Sequence, residues 1–330
     1  ETGRIIHDIN LFQPESPEYV SPLNTYATPS VALEKGRAYV HFGTYGTACL
    51  DSATGEVLWK QTSLHVNHLH GPGASPFLFE DLLYLTLDGV DAQFTAALNK
   101  NTGDIVWRTD RPREYYEHIP PDFFYYAKAY VTPIIVRVDG KPQLVSNGSQ
   151  VANGYDPYTG EELWRVVCDS DNSIARVVSG QGLIFVNGGG FQSRARLLAV
   201  REGGTGNITD SHVAWETREN VGLSPSPVLA DDLIYIVSER GRLTCLVAKT
   251  GEVVWSERLR GKYGASLLYA EGRIYVVSER GITTVVEHGR TFRILAVNDL
   301  GGTGIWASPA VTGKSLLLRT ETHLYRIQSK

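Results

Sequence analysis

The chain predicts an all-β fold, a seven-bladed β-propeller of four-stranded antiparallel blades, and three observations carry that reading. A motif ending in Thr-Gly-x-x-x-Trp recurs as LDSATGEVLW (Leu50 to Trp59), LNKNTGDIVW (Leu98 to Trp107), YDPYTGEELW (Tyr155 to Trp164) and LVAKTGEVVW (Leu246 to Trp255), with a looser copy through Thr205, Gly206 and Trp215. The motif glycines at 55, 103, 160, 206 and 251 are 48, 57, 46 and 45 residues apart, a period that belongs to propellers, solenoids and arrays. Between them run short β-branched and aromatic segments, and no long stretch repeats its apolar residues every 3.6 positions. Strands, not helices, are therefore the scaffold.

Residues 225–259 show the elements of one blade in order. PSPVLA begins a short strand and Asp231-Asp232 turns the chain into LIYIVS. Glu239-Arg240-Gly241 leads to RLTCLVA, and Lys249-Thr250-Gly251 is a hairpin turn into EVVWSERL. Four antiparallel strands in this span make one propeller blade. Glycine gives the hairpin its positive φ. The Trp four positions on lies on the outermost strand, where its ring is expected to cover the gap to the next blade and its N–H to reach a backbone carbonyl. Trp59, Trp107, Trp164, Trp215 and Trp255 are assigned this structural role. First strands begin near Ala27, Ala74, Val131, Ser173, Ser226, Ala265 and Ala307, which gives seven blades. The last copy, residues 307–330, stops after its third strand. Glu1-Thr2-Gly3-Arg4-Ile5-Ile6-His7 reads as the missing piece, so residues 1–12 are expected to close the last blade in one domain spanning 1–330.

Composition narrows the function. The net charge is −5 and no Lys/Arg-rich run occurs, which excludes an electrostatic case for nucleic acid. No segment approaches a membrane span, so no membrane insertion is expected. Cys49 and Cys245 hold the same third-strand position in different blades, so a disulfide between them is geometrically unfavourable and all three cysteines read as buried thiols. The chain has no Met and begins within a repeat, which suggests processing or trimming ahead of residue 1. Asn147-Gly-Ser and Asn207-Ile-Thr are glycosylation sequons, relevant only on a eukaryotic secretory route.

The repeats resemble the pyrroloquinoline quinone (PQQ)-like propeller repeat, whose blades end in D-x-x-TG-x-x-x-W. The resemblance covers nearly the whole chain, and within that group it is similar to the bacterial, planctomycete-type PQQ-like β-propeller repeat proteins. YVHFGTYGTACLDSATGEVLW (Tyr39 to Trp59), GPGASP (Gly71 to Pro76), PPDFFYYAKAYVTP (Pro120 to Pro133), TGEELWRV (Thr159 to Val166) and THLYRI (Thr322 to Ile327) carry it. It implies a periplasmic or secreted protein. Longer relatives carry N-terminal sequence that completes an eighth blade, so a trimmed eight-bladed relative is the alternative to seven. Quinoprotein dehydrogenases of the wider group hold PQQ between a Trp and a disulfide of adjacent cysteines, over a calcium ion. This chain has no adjacent cysteine pair and no recognisable calcium-ligand spacing, so no cofactor is expected and a PQQ-dependent oxidoreductase is disfavoured.

Propeller ligands sit at one mouth of the central channel, among the loops leading into first strands and those joining second to third strands. Two constellations occur there. His65, His68 and His70 accompany Asp88 and Asp91. Such groups could hold a transition metal or pair as a general base, but a loop His-x-x-His-x-His fixes no geometry and no metal site is assigned. Its structural reading is a solvated loop with one His held by Asp. Tyr26, Tyr125, Tyr126, Lys128, Arg176, Lys262, Tyr263 and Trp306 form an aromatic and basic set suited to acidic sugars, or else a plug for the channel. Ligand-binding candidates are thus Tyr26, His68, Asp88, Asp91, Tyr126, Lys128, Tyr263 and Trp306. The Glu-Arg pair of the twice-occurring SERG reads as inter-blade salt bridges. The leading expectation is an exported, non-catalytic propeller binding a protein or carbohydrate. The alternative is an extracellular polysaccharide lyase, with His68, Tyr26, Lys128 and Arg176 as catalytic candidates.

Overall fold

Three Thr-Gly hairpins place their glycine, Gly103, Gly160 or Gly251, under a tryptophan of the preceding blade, and that contact organises the packing of neighbouring blades. Gly103 has φ +79, and a Cβ there would come within 2.5 Å of the Trp59 ring. Trp59 Nε1 donates to the Lys100 carbonyl of the same hairpin at 2.9 Å. Trp107 repeats the pattern on Pro157 O at 2.8 Å, Trp215 on Ala248 O at 2.9 Å and Trp255 on Gly289 O at 3.0 Å. Strand register explains the recurrence. Trp59, Trp107, Trp215 and Trp255 stand opposite Cys49, Ala97, Ala199 and Cys245, each time just before a bulge in the third–fourth strand pair. A small residue on the third strand leaves room for the indole, and the bulge turns it toward its neighbour. Trp164 differs: it lies on Gly154 and donates to Gln143 Oε1 of its own blade at 2.8 Å.

The computed structural model describes residues 3–22, 24–190, 195–301 and 304–328. They form an all-β, seven-bladed propeller of antiparallel sheets. The helical pieces are short: Gly43–Tyr45, Arg113–Tyr115, Pro121–Ala127 and Thr209–His212. Blade 1 runs from Ala32–Glu34 through Arg37–His41 and Thr47–Asp51 to Val57–Gln61, and blades 2 to 6 repeat that order. Blade 7 has three strands among the described residues, Ala310–Thr312, Ser315–Arg319 and Leu324–Gln328.

The chain divides into two compact units, residues 1–165 and 166–330. In the first, Tyr39, Cys49 and Trp59 pack on Leu83, Leu85 and Leu98 between blades 1 and 2, while Tyr84, Trp107, Leu144 and Tyr155 fill the gap to blade 3. In the second, Phe185, Leu197 and Ala199 meet Ile234 and Leu246 between blades 4 and 5, and Tyr235, Cys245 and Val276 continue into blade 6. Cys49, Cys168 and Cys245 are free, buried thiols.

First strands start two to five residues later than the sequence suggests, at Ala32, Phe77, Ile134, Val178, Val228, Leu268 and Ala310. The residues ahead of them make a different bond. Within the first unit Ser30 N donates to Ser75 Oγ at 2.8 Å, and Ser75 N to Thr132 Oγ1 at 2.9 Å. Within the second, Arg176 N donates to Ser226 Oγ at 2.9 Å, Ser226 N to Ser266 Oγ and Ser266 N to Ser308 Oγ, both at 3.0 Å. A hydroxyl of the next blade thus satisfies each N–H that a strand ladder would otherwise take.

Residues 3–12 form no strand. His7 and Ile9 lie over Gly55, where a Cβ would come within 2.9 and 2.8 Å of them. His7 therefore covers the first hairpin glycine as tryptophans cover later ones. The expected closing strand begins at residues 1–2, which lie outside the described residues.

Candidate functional site

The loop 62–76 ahead of blade 2 carries His68 and the connection 111–133 between blades 2 and 3 carries Lys128, within electrostatic reach of each other. Lys128 follows the 3-10 segment Pro121–Ala127, and the backbone of Ala129 bridges to Asp88 at the end of a second strand. That bridge draws Lys128 inward until its side chain is fully buried. Its Nζ lies 4.8 Å from the centre of the Tyr130 ring. Burial lowers its pKa to about 7, since removing an ammonium from water disfavours the charged form. His68 is 6% exposed. Burial, with His41 and Lys128 adding to it, lowers its pKa to about 3. Neither Lys128 Nζ nor His68 Nε2 has a hydrogen-bond partner among the described residues. Gly43, at φ +60, makes the space: a Cβ there would come within 2.6 Å of His68 Nε2.

The other histidines of this loop diverge from His68. His65 is exposed, with Nδ1 3.3 Å from Thr44 Oγ1, and half-buried His70 contacts Tyr130 Oη at 3.1 Å. No group of three or more His, Cys, Asp or Glu side chains able to hold a metal forms among the described residues. Asp88 sits against Arg111 and not against a histidine. Arg111 Nε and Nη2 donate to its two oxygens at 2.9 and 3.2 Å, with both side chains fully buried. A carboxylate this deep needs a full counter-charge, which a neutral imidazole does not supply. Asp91 is exposed and accepts the Asn67 backbone N–H at 2.8 Å.

The aromatic and basic set also separates. Tyr26 packs edge-on against Tyr45 and donates to the Glu18 carbonyl, and burial and Tyr45 raise its pKa to about 12. Tyr125 and Tyr126 share a hydroxyl–hydroxyl contact of 3.1 Å, and Phe123 stacks on Tyr126 at 5.4 Å. Phe123 and Phe124 remain 39% and 44% exposed. In the second unit Tyr263 is a core residue, its hydroxyl donating to Arg260 O at 2.9 Å, so it offers no ligand platform. Trp306 lies over Gly264 and is half exposed. Arg176 and Lys262 are exposed, the first with its pKa lowered by partial desolvation. Glu239 of the first SERG accepts the Leu223 and Ser224 backbone N–H groups at 2.6 and 3.0 Å, so it pins a loop of its own blade where an inter-blade ion pair was expected. Of the two sequons, Asn147 is buried and Asn207 exposed.

Arg111 is the residue sequence reasoning missed. Besides Asp88 it donates to Asn153 Oδ1 at 2.6 Å and Ser146 Oγ at 2.8 Å, tying blade 2 to blade 3. A cavity of about 430 Å³ opens beside it, lined by Val90, Asp91, Gln93, Asp110, Arg113 and Tyr116 among others. A lone Arg in TDRP carries no periodic signal. The hint was its position directly after a fourth strand, ahead of a proline.

Blade grammar, tryptophan-on-hairpin contacts and register define a propeller of PQQ-like repeats. Residues 17–122, 97–220 and 148–324 match the family described as Outer membrane protein assembly factor BamB, and the chain belongs to that family. No curated protein matches it. Solved structures share the fold at low identity. BamB from Moraxella catarrhalis is 14% identical, with TM-score 0.62 over 89% of this chain and 82% of that one. Quinohemoprotein alcohol dehydrogenase from Comamonas testosteroni is 13% identical, with TM-score 0.64 over 91% of this chain and 65% of that one. A europium-containing methanol dehydrogenase is 14% identical, with TM-score 0.59 over 85% and 70%.

Proposed function

We propose that the protein is an exported, non-catalytic propeller that binds a protein partner at the cell envelope. The observation that carries this reading is the aromatic segment Pro121–Ala127, which holds Phe123 and Phe124 out to solvent while Tyr125 and Tyr126 brace them from behind. Rigid aromatic side chains at low ordering cost are what protein interfaces enrich. Membership of the family described as an outer membrane assembly factor supports an envelope location and a protein ligand. The three cysteines stand apart in sequence, which weighs against a quinone held against a disulfide of adjacent cysteines as in the dehydrogenases.

The test is a photo-crosslinking amino acid at position 124, with a second at exposed Tyr269 as control, in cells making the full chain. One discrete adduct at 124 and none at 269 supports the reading. Equal labelling at both positions, or a thermal shift with polysaccharides and no adduct, would overturn it.

A further inference from the structure

Lys128 and His68 form a buried basic pair without an acceptor. Lys128 Nζ and His68 Nε2 both lack partners among the described residues. The groups acting on them are basic as well: His41 and Lys128 act on His68, and Lys128 acts on His70. The nearby carboxylates are engaged elsewhere. Asp88 gives both oxygens to Arg111, and Asp91 faces the Asn67 backbone. Tyr130 offers Lys128 only the face of its ring, and His41 Nδ1 is taken by Thr47 Oγ1 at 2.9 Å. A buried ammonium with no acceptor is costly, as is an unmatched imidazole N–H.

We propose that Lys128 and His68 together bind a small monovalent anion, a carboxylate or a halide, which accepts one hydrogen bond from Lys128 Nζ–H and one from His68 Nε2–H. The site supplies one full positive charge and two donors, which matches a single negative charge and leaves a divalent anion undercompensated. Gly43 and Pro72 bound it on the His68 side: a Gly43 Cβ would sit 2.6 Å from His68 Nε2 and 2.9 Å from Pro72 Cβ. The burial of both residues restricts the ligand to a few atoms. His68 donates as the neutral Nε2–H tautomer, so Lys128 alone sets the pH dependence, with His41, His70 and Tyr130 as the other titratable groups around it. The site stands independently of the partner-binding reading, since the Phe123–Phe124 face is not part of it.

The test is thermal denaturation of the intact protein at constant ionic strength, with bulky sodium gluconate replaced stepwise by sodium bromide or sodium formate. A saturable stabilisation by at least one of the two is expected. With the amine titrating at about 7, the apparent dissociation constant should rise roughly a hundredfold from pH 6 to pH 9. Lys128→Met should abolish the response and Lys262→Met, at an exposed lysine, should keep it. Bromide alone responding assigns a halide, and formate alone a carboxylate. Identical curves in all three salts, or a response that survives Lys128→Met, overturn the proposal. Should Lys128→Met fail to fold, crystals of the unaltered protein soaked in bromide and in formate decide. Density between Lys128 Nζ and His68 Nε2 supports the site, and its absence with both salts overturns it.

Discussion

A single buried charge changes how stability responds to pH. Lys128 titrates at about 7 in the folded chain against 10.5 when solvated. The unfolded state therefore holds the extra proton between those values, and stability rises with pH across that window. Below about pH 7 both states are charged and the burial cost is complete. Lys128→Met should raise stability at pH 6, by up to ~5 kcal/mol if the whole shift is recovered, and change little above pH 10.5, as urea melts across pH would show. Asp88→Asn has the opposite effect. It strands the Arg111 guanidinium in a sealed network and should cost about 3–5 kcal/mol, whereas replacing Asp88 and Arg111 together by Leu and Met should cost far less. Neither residue announced this in the sequence. Asp88 was visible as a carboxylate and Lys128 as a cation in a candidate loop, but depth is a property of the folded chain, and Arg111 looked like any surface arginine.

The Thr-Gly hairpin and its tryptophan were the most legible element, because a tight turn demands a particular residue and a large ring demands space. Their energies can be separated. Gly36 and Gly103 share φ near +80, but a Cβ meets nothing within 4 Å at Gly36 and the Trp59 ring at Gly103. Gly36→Ala should cost about 1 kcal/mol for backbone strain alone, and Gly103→Ala about 2–4 kcal/mol once the indole is displaced as well. Equal losses in chemical denaturation would show that the ring yields freely. The starts of the first strands were misread by several residues. Ser75, Thr132, Ser226 and Ser308 each precede a proline and look like strand residues, yet their hydroxyls serve the preceding blade. Ser266→Ala leaves Ser226 N without its acceptor and should cost about 1 kcal/mol.

Seven repeats were countable from sequence, and register shows what their inequality does to the packing. In blade 6 the position opposite Val285 that four other blades give to tryptophan is Ala296. A groove of about 920 Å³ follows, lined by Val285, Leu300, Val311, Leu316, Leu318 and Ile327 among others. Filling it with Ala296→Trp should raise the melting temperature by a few degrees, since burying an indole there adds the contact its counterparts make. A fall would mean the backbones of blades 6 and 7 lie too close for the ring.

The placement of the indoles has an optical consequence. Trp59 and Trp107 lie at contacts within the first unit and Trp215 and Trp255 within the second, each donating to the next hairpin, while Trp306 is 56% exposed. Emission from the first four is therefore a local gauge of whether one blade still touches the next. Chains that keep one of them, with every other tryptophan changed to phenylalanine, would time the parting of each pair of blades. The residue that closes each gap also reports when it opens.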